Sequence, residues 1–146
     1  MNTEEPIKAA LEASRIITRA ENMARGQCTL GELIALLKSR PQDQDVVFDF
    51  CGCEPREPQS YRGYYEQLSL GWRARSYENK TPDVATVLTW LEGAIGKVYE
   101  GYKGGDFRMH ADTPLWVANQ GESDGTAIVG LADCDYQAII ATLYIP

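Results

Sequence analysis

From residue 97 onward the chain breaks into short β-rich runs, at 97–102, 114–119, 126–131 and 136–145, set apart by clusters of glycine and aspartate. Runs of that length between turn residues read as strands. Upstream, residues 4–25, 30–37 and 82–95 instead carry apolar side chains at helical spacing. Helices early and strands late favour an α+β fold over a doubly wound sheet. The expectation is three helices with a mostly antiparallel β-sheet. A length of 146 residues suits one core. Residues 1–26 then form an N-terminal helix, a candidate oligomerisation element, and residues 27–146 the α+β domain.

The first helix takes Thr3 as N-cap, Ile7, Leu11, Ile17, Ala20 and Ala24 as a thin stripe, and Gly26 as its stop. Glu4 and Glu5 near its start and Arg19 and Arg25 near its end agree with the helix dipole. Thr29-Leu30-Gly31-Glu32 is a capping box opening a second helix, with Leu30, Leu33, Ile34, Leu36 and Leu37 as its buried face and Pro41 as its limit. Residues 45–50 read as a strand, 51–60 as a loop carrying Gly52, Pro55 and Pro58, and 61–72 as a strand paired with the first. In the third helix Thr81 is the expected N-cap and Pro82 the first helical residue, followed by Val84, Val87, Leu88, Leu91 and Ile95 up to Gly96.

Charge removes several function classes. Asp and Glu number 21 against 14 Lys and Arg, a net charge of -7, which opposes binding to duplex nucleic acid. No apolar run approaches the ~20 residues of a membrane span, and the acidic opening is unlike a signal peptide. A cytosolic protein with reduced thiols is expected from this and from its four cysteines. Cys51, Cys53, Cys134 and the lone His110 are zinc-ligand types, but their spacing lacks two knuckles, so no metal is assigned. With one histidine and no nucleophile-elbow, zincin or dinucleotide fingerprint, no catalytic residue or cofactor is assigned either. Carboxylate chemistry through Glu66, Asp106 or Asp124 stays open, because paired acids leave no motif.

Three stretches carry residues that a core does not need. Ser60-Tyr61-Arg62-Gly63-Tyr64-Tyr65-Glu66 gathers rings around an arginine able to fork onto phosphate. Gly101-Tyr102-Lys103-Gly104-Gly105-Asp106-Phe107 sets a lysine beside bare amides, although a plain hairpin turn explains the glycines equally well. Thr113-Pro114-Leu115-Trp116-Val117-Ala118-Asn119 offers a wide apolar ring and a carboxamide that reads a polar edge, or else a core tryptophan before a loop.

At these stretches the sequence resembles a family of small bacteriophage and prophage proteins, mostly without assigned activity, over a similarity that runs from about Thr29 to the C-terminus. The resemblance implies a phage accessory protein and carries over no site. Such proteins often counter host immunity. The chemistry of Arg62, Lys103 and the aromatic rings is compatible with the Thoeris anti-defence sponges, which capture cyclic ADP-ribose-like signals without cleaving them.

The expected function is therefore that of a phage anti-defence protein in the host cytoplasm. It binds and sequesters a small anionic, nucleotide-like ligand without cleaving it. Arg62 and Lys103 meet phosphate, Tyr64, Tyr65 or Trp116 stack on the base, and Asn119 selects its edge. The alternatives are a protein-protein inhibitor of a host defence effector and a carboxylate-dependent hydrolase of a nucleotide signal. A homo-oligomer is expected, because the narrow alanine-bearing stripe of the first helix needs cover.

Overall fold

A computed structural model describes residues 26–50, 52–60, 67–100, 106–118 and 125–145. The helix expected over 4–25 lies outside them. Among the described residues are helix α1 (Leu30–Lys38), strands β1 (Val46–Phe48), β2 (Cys53–Ser60) and β3 (Leu68–Ala74), and helix α2 (Val84–Ala94). Strands β4 (Val98–Glu100), β5 (Asp106–Arg108), β6 (Leu115–Val117), β7 (Gly125–Ala132) and β8 (Ala138–Ile145) follow. None of these helices is long and apolar enough to cross a membrane.

The capping box forms as expected. The Thr29 hydroxyl accepts from the Glu32 amide at 3.2 Å, and the Thr29 amide donates to the Glu32 carboxylate at 3.3 Å. Leu30, Leu33, Ile34 and Leu37 are buried beneath α1, but Leu36 is 39% exposed. Its position falls off the stripe that i, i+3, i+4 and i+7 define. The second helix starts later than expected: Asp83, not Thr81, is its N-cap, and its Oδ1 accepts from the Thr86 amide at 2.8 Å. Pro82 lies outside the helix because its carbonyl accepts from Val46 in β1. At the other end Ala94 is the last buried residue, and Ile95 becomes a half-exposed C-cap before Gly96, whose φ of 80° only glycine adopts without strain.

The sheet corrects the expected fold class. Six strands run in the order β1-β8-β7-β6-β3-β2 and curl into a nearly closed, barrel-like sheet. Two helices accompany it among the described residues, not three, and the sheet is mixed. Strand β1 runs parallel to β8 and β3 parallel to β6, while the other pairs are antiparallel. Parallel neighbours need a crossover, and α2 with the β4–β5 hairpin supplies the one from β3 to β6. Alternation in a sequence marks a strand without naming its neighbour, so these distant pairings were not legible.

Residues 53–60, expected as a loop, are strand β2. Two prolines there argue against a central strand, yet β2 lies at the sheet edge, where a missing N–H costs little. Residue 28 is wedged between two other strands. Its amide donates to Ile128 in β7 at 2.7 Å, and its carbonyl accepts from Leu115 in β6 at 3.1 Å. The lead-in to α1 thereby completes the sheet where β6 and β7 diverge. Helices and sheet share one core, in which Leu30, Leu33, Leu68, Leu91, Leu115 and Ile140 are fully buried.

Removing the α2 cap is the direct test of its start. Asp83→Ala is expected to cost about 1 kcal/mol at neutral pH, measured by urea unfolding. The side-chain and backbone hydrogen bonds from Thr86 hold the Asp83 carboxyl below its ordinary range. Its contribution is therefore present above about pH 4 and lost as the pH falls through the depressed folded value. The gap between the two proteins should close on acidification.

Candidate functional site

The sequence Pro55-Arg56-Glu57-Pro58 sits in β2 opposite too few partners. Pro55 pairs with Trp72 and Pro58 with Leu70, so Arg56 and Glu57 share the single residue Gly71. Two residues against one make a β-bulge, which bends the strand and re-aims its side chains. Gly71 makes the approach possible, since a Cβ there would lie 2.9 Å from the Arg56 Cβ. Both bulge residues consequently face a cleft of about 310 Å³ beside the crossover.

Three other segments complete the cleft. Arg73 comes from the end of β3, Lys80, Thr81, Pro82 and Asp83 from the connection to α2, and Thr86 with Trp90 from one face of α2. Trp90 is partly buried and packs against the core, which fixes it as an aromatic wall. The amides at the start of α2 are already used: Val84 donates to Gln44 at 2.9 Å, Ala85 to Gln42 at 3.1 Å, and Thr86 to the Asp83 carboxylate. An anion in this cleft would have to be held by Arg56, Arg73 and Lys80 rather than by the helix terminus.

Arg73 has a buried partner. Glu54 lies directly across the β2–β3 ladder, is fully buried, and accepts from the Arg73 Nε through Oε1. Its second oxygen has no hydrogen-bond donor among the described residues. A carboxylate withdrawn from water is tolerated here because a guanidinium meets it, and that pairing fixes the direction of the arginine. The Arg73 Nη2 reaches the Lys80 carbonyl at 3.4 Å, close to the crossover segment.

Of the residues chosen from sequence, Arg62, Tyr64, Tyr65, Lys103 and Asn119 lie outside the described residues. Trp116 is buried on β6, forms a small cluster with Ala127 apart from the main core, and does not line this cleft. Strands β4 and β5 pair antiparallel on either side of residues 101–105, which themselves lie outside the described residues. Glu66 and Asp124 also lie outside the described residues, and Asp106 is exposed on β5.

The sulfur and imidazole groups have structural surroundings. Cys28 and Cys134 are free thiols, Cys53 is buried on β2, and Cys51 lies outside the described residues. Burial, aided by the Glu32 charge, pushes the Cys28 thiol up to about 12, which leaves almost no thiolate. His110 Nδ1 accepts from the Asp112 amide at 3.2 Å within a turn. Among the described residues no group of three or more His, Cys, Asp or Glu is arranged to hold a metal. Comparisons with protein-family models, curated proteins and solved structures find no match.

Sequence reasoning missed Arg56, Arg73, Lys80 and Trp90 because their meeting depends on the bulge and the crossover. The one legible signal was a charged pair between two prolines, which read as loop. Two substitutions test the construction. Gly71→Ala should cost about 1 to 3 kcal/mol by crowding Arg56. Arg73→Ala should cost about 3 to 5 kcal/mol by leaving the buried Glu54 charge without its partner. Urea midpoints for both variants provide the check.

Proposed function

We propose that the protein is a non-catalytic binding protein that sequesters a small anionic, nucleotide-like ligand, with the cleft beside the β2 bulge as its site. The observation that carries this reading is the convergence of Arg56, Arg73 and Lys80 on one volume with the ring of Trp90. A base stacks on an indole, and guanidinium or ammonium groups grip phosphate. Glu57 and the threonine hydroxyls supply acceptors for ribose or amino donors. At about 310 Å³ the cleft is at the small end of ligand sites, suited to part of a nucleotide or to a compact one.

Gripping suits these groups better than proton transfer does. Asp83 is engaged as a helix cap and Glu54 is bound to Arg73. The resemblance to phage proteins adds the setting: an anti-defence protein acting in the host cytoplasm. The proposal keeps Arg62, Tyr64, Tyr65, Lys103 and Asn119 as further ligand contacts, and it includes a homo-oligomer formed through residues 4–25.

Incubation with host lysate, heat denaturation and mass spectrometry of the released small molecules provide the test. The wild type should return an intact nucleotide-like anion, and Arg56→Ala with Lys80→Ala should lower its recovery at least tenfold without lowering the melting temperature. A chemically altered product would assign a hydrolase instead, and a co-purifying host polypeptide with no small molecule would assign a protein inhibitor. Light scattering should show an oligomer for the full chain and a smaller species for a chain beginning at Gln27. A full chain that is monomeric at micromolar concentration overturns the assembly.

A further inference from the structure

The ionisable groups described around the cleft balance. Among the described residues, Arg56, Arg73 and Lys80 face it together with Glu57 and Asp83, and Glu54 lies behind Arg73. Three cations therefore meet three carboxylates. Glu57 adjoins Arg56 on the bulge, Asp83 feels the Lys80 charge, and Glu54 is in direct contact with Arg73. The last pair matters most, since the Glu54 carboxylate is fully buried and little water lies around it to screen its field.

A ligand with several negative charges would find no matching surplus here. We infer that Glu54 sets the charge selectivity of the cleft: by cancelling Arg73 it leaves no cationic surplus, so a singly charged phosphate ester, such as a phosphodiester, is favoured over polyphosphates. Arg73 then acts as a directed fork of donors rather than as a net charge. Glu54 is a positioning residue, working through the arginine and not on the ligand. The inference deepens the proposed function and rests on the cleft being an anion site.

Glu54→Gln isolates the effect. The carboxamide keeps the length of the side chain and an oxygen to accept from Arg73, but removes the opposing charge. The probes are adenosine 3′,5′-cyclic monophosphate, which is singly charged, and ATP and inorganic tripolyphosphate, which carry several charges. Calorimetry on the wild type should give tighter binding of the cyclic nucleotide than of ATP. In Glu54→Gln that ratio should move at least tenfold towards ATP. Glu54→Asp, which keeps the opposing carboxylate charge beside Arg73, should keep the wild-type preference.

Each outcome decides. Binding by both proteins with an unchanged preference overturns the inference and leaves the nucleotide reading intact. If the wild type ignores both nucleotides but Glu54→Gln gains tripolyphosphate, charge selection stands and the nucleotide reading fails. No binding of any probe to either protein overturns both. Should Glu54→Gln not fold, the wild type and Glu54→Asp still decide, since a preference of either for ATP over the cyclic nucleotide overturns the inference.

Discussion

Between Pro55 and Pro58 two residues of β2 must share one partner on β3, and a ladder that absorbs an extra residue has to bend there. The bend is possible because the facing residue has no Cβ to strike Arg56. It carries Arg56 and Glu57 out of line while Glu54 and Arg73, on the second rung away, stay in register. The cleft and its electrostatics both descend from that one mismatch. The bulge delivers one cation into the opening, and an intact rung two steps along fixes a second against a buried carboxylate.

The crossover supplies the remaining walls by a separate constraint. Strand β3 must reach β6 in parallel, so the chain leaves the sheet, turns through 75–83 and returns by way of α2. Backbone bonds tie the start of α2 to the 42–46 segment, and Arg75 approaches Asp45 at 3.8 Å. Thr86 and Trp90 are thereby held at fixed positions opposite the bulge. A ligand entering such a cleft meets groups already oriented, which lowers the ordering cost of binding.

How much of this was readable depended on the range of the interaction. The α1 capping box is a matter of four consecutive residues, and it appears as the sequence implied. Most strands also fall near their expected positions, because alternation is local. Asp83 displaced Thr81 as a cap for a tertiary reason: Pro82 is bonded to β1, which no nearby residue announces. The two prolines of β2 looked like loop residues because their exemption comes from lying at an edge, a property of the whole sheet. Arg56 and Gly71 are fifteen positions apart in sequence, and only register brings them together.

Strand β8 is late in the sequence but interior in the sheet, between β1 and β7. Its parallel partner Val46 is matched to Ala138, so most of the described chain separates the two halves of that ladder. On the ribosome, β1 and β7 must therefore wait with those edges unpaired until β8 emerges. Loop closure over such a distance comes before its reward in contacts, which makes formation of the sheet slow and keeps those edges open to mispairing meanwhile. The early partner available to the chain is the 27–29 segment, whose bonds to Leu115 and Ile128 can hold β6 and β7 together before β8 arrives.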